Sequence, residues 1–284
     1  MSAAVEVAPA VPRGRSVAAR ALAFAGRHAL TVYALLAFAY LLLPVAVVVL
    51  FSFNHPRGRF NYTWQGFTFD NWVHWDAVPG LRSAIETSLE IAAMSSIVAT
   101  ALGAMIALAL VRYGFRGRGA TNLLIFLPMS TPEIVLGASL LTLFLTMNVA
   151  TGFWTIVIAH VMFNISYVVV TVKARLVGFD RHLEEAAMDL GANEWTTFWR
   201  VTLPLIAPGI LAALLLAFAL SVDDFVITNF NAGTTVTFPL FVWGAARAAV
   251  FPQINVIGTA IFVVALGAML VNVVVQQRRA ARAS

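Results

Sequence analysis

Six long apolar runs dominate the chain, and shorter polar segments separate them. The first run, from Leu30 to Phe53, holds no charged residue, and an uncharged run of about 18 residues or more is typical of a helix that crosses a membrane. The other runs also have about the 20 residues that a bilayer requires. The pattern predicts an all-α, polytopic membrane protein with about six transmembrane helices. The predicted spans are roughly residues 30–53, 87–111, 121–147, 153–172, 205–229 and 253–275.

The runs divide the chain into a lead, a membrane domain and a tail. Residues 1–29 form a polar lead that bears arginines and prolines and is expected to be disordered at first. Residues 30–276 form the transmembrane domain, and residues 277–284 form the tail. No small-residue cleavage site precedes a short apolar core, so the first run is predicted to be a retained span rather than a signal peptide.

Composition supports a membrane protein and argues against two other classes. Hydrophobic residues make up 61% of the chain and charged residues 11%, whereas a soluble domain carries about 25% charge. The net charge of +5 is compatible with nucleic-acid binding, but the arginines lie in short clusters between apolar runs, which is the pattern of membrane topology. The chain has no cysteine, which excludes disulfides and thiol chemistry.

The basic residues predict an orientation. Under the six-span prediction, 14 of the 18 Lys and Arg residues fall on one side of the membrane and 4 on the other. Because cytoplasmic loops carry the excess of Lys and Arg, both termini are expected to be cytoplasmic. The four residues on the opposite side are Arg57, Arg59, Arg82 and Arg247.

The polar segment between the fourth and fifth spans, residues 173–203, has the pattern of two short helices joined by a turn. Gly191 can take a left-handed conformation and end the first helix. The second helix is predicted to begin near Asn193, and Pro204 to start the next span. The result is a helical knob outside the membrane. The apolar residues at helical spacing in the first helix are Leu183, Ala186, Ala187 and Leu190.

The sequence EEAAMDLGANEWTTFWRVTLP in this segment resembles the cytoplasmic EAA loop of ABC importer permeases. Their pattern is Glu-Ala-Ala, three residues, Gly, nine residues, Ile, one residue and Leu-Pro. Every anchor is present at that spacing, except that Val201 stands in place of Ile and keeps a β-branched apolar side chain. An amphipathic loop lying on the bilayer surface is the alternative, but such a loop has no need of the Gly and Leu-Pro spacing.

The resemblance implies a type I ABC importer permease fold and a knob that docks in a groove of an ATP-hydrolysing subunit. Small Ala186 and Ala187 would allow close approach, while Glu185 and Arg181 would orient the contact. The residues carried over to this coupling role are Glu185, Ala186, Ala187, Gly191, Glu194, Leu203 and Pro204.

The chain lacks the motifs of a nucleotide-binding or hydrolytic enzyme. A P-loop requires a Lys after Gly to reach phosphates, but the only lysine, Lys173, follows Val172. No His-Glu-x-x-His metal pair and no Gly-x-Ser-x-Gly elbow occurs. The chain is therefore expected to hold no cofactor or metal and to be no enzyme, with ATP bound by a separate subunit.

Acids at membrane depth are candidates for function because a charge is costly there. Asp223 and Asp224 end the fifth predicted span, after Ser221, and either line a pathway or lie hydrated at the outer interface. Glu133 follows Pro132 in the third span, and pairing with an arginine of a partner subunit is its alternative role. His160 and Asn164 share a helix face, and either pack helices or line a pathway.

From Asn164 onward, the chain resembles the spermidine/putrescine importer permeases. The strings that carry the resemblance are LVGFDRHLEEAAMDLGA, LSVDDFVITNF and FPQINVIGTAIF; the front half matches more loosely. The resemblance implies a multi-pass subunit of the bacterial inner membrane that works with an ATP-binding subunit dimer, a second permease and an extracytoplasmic binding protein. The residues carried over to substrate passage are Glu133, Ser221, Asp223 and Asp224.

Other readings of the sequence remain open. The same architecture serves other cargoes in close relatives, namely iron, opines or phosphonates. An ion-coupled secondary carrier is a different class, although such carriers often show two matched halves, and none is found here. A membrane-anchored scaffold protein is a third, against which the EAA loop and the buried acids weigh.

Overall fold

A computed structural model describes residues 17–178, 180 and 182–283 of the chain. These residues form helices and, outside the helices, two isolated β-bridges. In chain order the elements are α1 Val17–Ser52, α2 Asp70–Val73, α3 Leu81–Arg112, α4 Arg118–Ser130, α5 Glu133–Thr146, α6 Phe153–Val177, α7 His182–Asp189, α8 Glu194–Thr197, a π-helical turn Phe198–Thr202, α9 Leu203–Asp223, α10 Val226–Asn231, α11 Phe238–Ala246 and α12 Pro252–Ala283.

The chain forms two compact units, one of which contains α1, α2 and α12. Within it, α1 packs against α12, and the segment after α1 folds back on itself through a bridge between Asn54 and Phe67. The side-chain amide of Asn71 donates to the carbonyl oxygens of Ser52 and Asn54 at 3.0 and 2.8 Å. Phe53 stacks on Trp72. These contacts fix the polar turn that follows α1.

The second unit runs from α3 to α11, and its core is the packing of α3, α6 and α9. Small residues allow close approach of these helices. A Cβ added at Gly103 of α3 would lie 2.6 Å from a methyl of Val168 on α6. A Cβ at Gly209 of α9 would lie 2.7 Å from the side chain of Arg175, also on α6. The two glycines thus set the distance between the helices.

Four helical stretches of the described chain are long and apolar enough to cross a membrane, and a fifth crossing is possible if a bent helix pair counts as one. The prediction of a largely apolar, all-helical membrane protein is confirmed. The sixth predicted span corresponds to α12, whose apolar part within the described residues, Pro252–Gly267, is shorter. The four long stretches are His28–Ser52, Leu81–Arg112, Phe153–Val177 and Glu194–Asp223.

The predicted continuous span 121–147 is wrong in detail, because α4 and α5 meet at an angle of 106°. Pro128 lies within α4 and does not end it. The break comes at Thr131, whose backbone is extended (φ −84°, ψ 134°), as expected for a residue that precedes proline. Pro132 then caps α5. Glu133 therefore begins a new helix.

The predicted span 205–229 is also too long. Helix α9 ends at Asp223, Asp224 is extended (φ −64°, ψ 119°), and α10 begins at Val226. The Asp224 carboxylate accepts a hydrogen bond from the backbone N–H of Thr228 at 2.7 Å. This side chain satisfies an N–H of the new helix, which is why the chain turns at this point. The first helix is longer than predicted, because α1 already begins at Val17, within the predicted lead.

Candidate functional site

The polar segment after α6 folds into the two short helices that the sequence predicts. Helix α7 ends before Gly191, whose φ of 89° lies in the left-handed region, and such a residue ends many helices. The side chain of Asn193 caps α8 by accepting from the N–H of Thr196 at 2.8 Å. Pro204 occupies the first turn of α9. The predicted conformation of this knob is confirmed.

Most residues proposed for coupling lie on the outside of the knob. Ala186, Gly191 and Glu194 are exposed, and Ala187 is half-buried. Glu185 is exposed, with one carboxylate oxygen 3.1 Å from Nδ1 of His182. Apolar side chains of the same knob are also exposed, and together they form an apolar surface to which a partner could bind. These apolar residues are Leu183, Met188, Leu190 and Trp195. Arg181 lies outside the described residues.

Glu184, which the sequence did not single out, connects the knob to the helix bundle. Its carboxylate pairs with the guanidinium of Arg112 at the end of α3 and accepts a hydrogen bond from the hydroxyl of Thr202. Arg112 also donates to the Thr202 hydroxyl at 3.2 Å. We call Arg112, Glu184 and Thr202 the clamp. The only sequence signal for it was an acid beside the Glu-Ala-Ala motif and an arginine used to assign topology.

Away from the clamp, where α9 ends, a buried polar cluster forms around His160 on α6. The His160 Nδ1 lies 2.6 Å from the hydroxyl of Ser221, which lies 3.0 Å from that of Ser95 on α3. The His160 Nε2 lies 3.2 Å from a carboxylate oxygen of Asp224 and 2.9 Å from the hydroxyl of Thr228. We call these five residues the histidine cluster. It joins α3, α6, α9 and α10.

With Asp224 ionised and the His160 ring neutral, one arrangement of protons fits the contacts of the histidine cluster. An ionised carboxylate only accepts, so Nε2 of His160 carries a proton and donates to Asp224. In a neutral ring, Nδ1 is then an acceptor, and the Ser221 hydroxyl donates to it. Ser221 in turn accepts from Ser95. Asp224, with 7% of its side chain exposed, is thus held by donors from two neighbouring helices.

The two adjacent aspartates differ in environment. Asp224 is enclosed in the histidine cluster, and Asp223 is exposed. Ser221 is 5% exposed and takes part in the cluster. Among the four residues carried over to substrate passage, two acids therefore have exposed side chains and two residues face inward.

Glu133, the other exposed acid, begins α5. Within the described chain, its side chain forms no hydrogen bond or ion pair with Asp223 or Asp224. The corner that bears Asp223 and Asp224 leads into α10, and α10 packs on α5. A Cβ at Gly137 of α5 would lie 2.8 Å from the ring of Phe230 on α10. The packing places the start of α5 and the α9–α10 corner on adjacent elements.

The sequence allowed two roles for Asn164, in helix packing or in a pathway. It is fully buried on α6, and neither atom of its amide has a hydrogen-bond partner among the described residues. His160, one turn earlier, packs helices through the histidine cluster. Ser95 and Thr228, which complete the cluster, carry no signal in the sequence because their role depends on helix packing.

Comparison with curated proteins identifies relatives over most of the chain. The spermidine/putrescine transport system permease protein PotC of Haemophilus influenzae is 36% identical over 244 residues, which cover 85% of this chain and 93% of the relative. PotC of Escherichia coli K12 is 38% identical over 81% of this chain and 86% of the relative. The putrescine transport system permease protein PotI of the same strain is 39% identical over 80% and 83%.

Comparison with solved structures supports the fold. A chain of a bacterial ABC transporter involved in the import of the acidic polysaccharide alginate superposes with a TM-score of 0.68 at 16% identity, over 91% of this chain and 99% of that one. A chain of an amino acid ABC transporter gives a TM-score of 0.55 at 18% identity, over 76% and 100%. Residues 99–280 match the family of binding-protein-dependent transport system inner membrane components. The protein is an ABC importer permease and belongs to that inner-membrane family.

Proposed function

We propose that this chain forms part of the membrane pathway of an ATP-driven importer of polyamines. The observation that carries the mechanism is the knob of α7 and α8, which exposes an apolar surface and is tied by the clamp to α3 and the start of α9. The cargo rests on the three polyamine permeases, which are 36–39% identical to this chain. No cofactor is assigned to the chain itself.

The knob is the docking element for an ATP-binding subunit. An isolated short helix is not stable in water, so α7 depends on its contacts with neighbours. The apolar side chains of Leu183 in α7 and of Leu190 just after it are 48% and 90% exposed, and burying them against a partner would favour association. A dimer of ATP-binding subunits would then contact two knobs, one from this chain and one from a second permease.

The proposed orientation rests on the charge distribution and on three helix ends that lie at one end of the bundle. The end of α3 (Arg112), the start of α4 (Asn122) and the end of α6 (Lys173) lie at the end that carries the clamp, and Lys173 donates to the Asn122 side chain at 2.9 Å. This end holds most of the basic loops, so it is cytoplasmic. Both termini are then cytoplasmic, and an extracytoplasmic binding protein would deliver cargo to the opposite end.

Cysteine accessibility tests this orientation cleanly because the natural chain has no cysteine. Gly114 and Gly58 both have open space where a side chain would go. In intact cells, an impermeant thiol reagent is expected to label Gly58→Cys and not Gly114→Cys; after permeabilisation both are labelled. Labelling of Gly114→Cys in intact cells would reverse the topology.

The positive charges of a polyamine are complementary to the exposed carboxylates. It carries two or more ammonium groups along an apolar chain, and moving them through a low-dielectric passage requires compensating anions. Asp223, just before α10, and Glu133, at the start of the α5 helix on which α10 packs, supply two exposed carboxylates. Asp224 already has donors in the histidine cluster. Ferric iron is the rival cargo, since hard cations also favour carboxylates.

Cargo is tested by uptake in a strain that carries the complete importer and lacks its other polyamine transporters. Labelled putrescine and spermidine are expected to enter and to compete with one another, whereas labelled ferric iron does not enter above the empty-vector control. Matched uptake by a strain that lacks only this chain gives the background. Iron uptake without polyamine uptake would overturn the cargo and leave the family intact.

A further inference from the structure

The clamp is the principal side-chain attachment of α7 to the helix bundle. Glu184 has 15% of its side chain exposed and Arg112 has 26%, and Thr202 is fully buried. Each of the three side chains contacts the other two. Within the described part of the chain, Glu184 is the one residue of α7 whose side chain hydrogen-bonds to another element. This carboxylate is therefore a direct side-chain link between α7 and the bundle, beside the packing of α7 on α8 and on the π-helical turn.

The clamp acts on two helices at once. Arg112 is the last residue of α3, and Thr202 ends the π-helical turn that leads into α9. Turns of this type are rare and appear often at functional sites. The clamp thus joins the cytoplasmic ends of α3 and α9 to α7, although the three residues lie far apart in sequence.

The histidine cluster joins α3 and α9 a second time, at the middle of α3 and near the end of α9. The hydroxyls of Ser95 on α3 and Ser221 on α9 lie 3.0 Å apart. At about 1.5 Å of rise per residue, Ser95 and Arg112 are separated by about 26 Å, and Ser221 and Thr202 by about 28 Å. Because the earlier residue of α3 contacts the later residue of α9, and the reverse holds at the clamp, the two helices run antiparallel. The two contacts are separated by almost the thickness of a bilayer core, which is about 30 Å.

We propose that the clamp is the joint that passes movement of the ATP-binding subunit from α7 to α3 and α9, and so to the Asp223 corner at the far end of α9. This inference rests on the proposed function, because it requires a partner that moves α7. Arg112, Glu184 and Thr202 are positioning residues: they touch neither cargo nor nucleotide. Packing along α3 and α9 makes the pair move as one body, since close-packed interiors transmit strain.

The first experiment separates coupling from assembly in the complete, reconstituted complex. Glu184→Gln removes the negative charge and keeps the size of the side chain. ATP hydrolysis is expected to persist, while cargo taken up per ATP hydrolysed falls about tenfold. The charge exchange Arg112→Glu with Glu184→Arg restores part of the ratio, although each single exchange does not. A merely structural clamp would lower the amount of complex and leave the ratio unchanged.

The second experiment compares two states of the same assembled complex. Because the natural chain lacks cysteine, Arg112→Cys with Glu184→Cys can be bridged by a propane-linked bis-methanethiosulfonate and released by reductant. The released complex is expected to hydrolyse ATP with little uptake, and the bridged complex to regain uptake. Equal uptake in the two states would overturn the proposal, and loss of assembly cannot imitate the expected result.

A matched ion pair on the same helix serves as the control. Arg82 and Glu86 lie 2.8 Å apart at the other end of α3, with 65% and 56% of their side chains exposed. Their neutralisation is expected to leave the ratio of uptake to hydrolysis at the wild-type value. If the wild-type complex itself shows no uptake, the proposed function fails; if it transports and the clamp variants equal it, only the clamp proposal fails.

Discussion

The stretch of α3 and α9 between the histidine cluster and the clamp is fastened at its two ends by different chemistry. At one end the histidine cluster is enclosed, with 3% of the His160 side chain and 7% of the Asp224 side chain exposed. At the other end the clamp is an ion pair at the border with water, with exposed fractions of 26% and 15%. A buried cluster is costly to disrupt, whereas a partly exposed pair can be rearranged at lower cost.

The difference matches the tasks that the two ends are proposed to have. The histidine cluster holds a break in the chain, where α9 ends and α10 begins, and it leaves Asp223 exposed at the corner. The clamp holds a short exposed helix against the bundle. One end is therefore built to fix the position of a carboxylate, and the other to follow a partner. The predictions below test that contrast, from the largest expected effect to the smallest.

Replacing His160 is expected to have the largest effect, on stability. His160→Ala removes the ring donor from the enclosed Asp224, which keeps only the N–H and hydroxyl of Thr228. The lost hydrogen bond to a charged group costs about 1.5–3 kcal/mol, and the cavity left by the ring adds to that cost. The purified complex should lose thermal stability or fail to assemble, measured by fluorescence-detected size-exclusion chromatography after heating. His160→Gln retains one donor and is expected to lie between the alanine variant and wild type. Wild-type stability of His160→Ala would show that the cluster does not hold the corner.

Neutralising Asp223 is expected to affect transport and not stability. A hydrogen bond to a charged group is worth about 2 kcal/mol, which corresponds to an uptake change of about thirtyfold. Asp223→Asn should therefore reduce polyamine uptake at low cargo concentration, with ATP hydrolysis and thermal stability retained. Asp224→Asn should lower thermal stability as well. If both variants behave alike in both assays, the two aspartates do not have separate roles.

Gly191→Val is expected to have a smaller effect, confined to coupling. The φ of 89° at Gly191 costs a β-branched residue about 1–2 kcal/mol, while open space around the position excludes a clash. The variant should insert normally and transport less per ATP hydrolysed. Gly191→Asn, which tolerates this backbone region better, should lose less. The control is Gly178→Val, since Gly178 has a φ of −88°; equal losses at both positions would remove the left-handed turn from the explanation.

The smallest effect is expected for the exposed pair of Arg82 and Glu86. Surface ion pairs contribute little to stability, and this pair lies outside the clamp and the histidine cluster. Arg82→Gln with Glu86→Gln should change neither the thermal stability nor the uptake of the complex. A marked loss of uptake would mean that the start of α3 has a role in transport besides those of the clamp and the histidine cluster.

Local signals in the sequence predicted the knob well. Gly191, Asn193 and Pro204 each act on their own backbone or on neighbours a few residues away, so their positions carry the information. The break before Glu133 was signalled by Pro132, but the sequence did not distinguish a kink from a bend of 106°. The end of α9 was missed because Asp224 leaves the helix only when its side chain reaches Thr228 and His160.

Contacts between distant parts of the chain lay outside the reach of sequence patterns. The clamp joins residues 72 positions apart, and the two serines of the histidine cluster are 126 positions apart. No periodicity or motif records such pairs. His160 had been weighed as either a packing or a pathway residue, and only its partners on α9, on α10 and at the turn between them show that it joins helices. The coupling and pathway roles of the individual residues stay predictions.

The most direct test of the central claim is ATP-driven uptake by the purified complex in proteoliposomes. Labelled putrescine is supplied with the binding protein on one face, and ATP with the ATP-binding subunits on the other. We predict accumulation that requires both ATP and this chain and that falls about thirtyfold with Asp223→Asn. Accumulation by this chain alone under an ion gradient, without the ATP-binding subunits, would contradict the account.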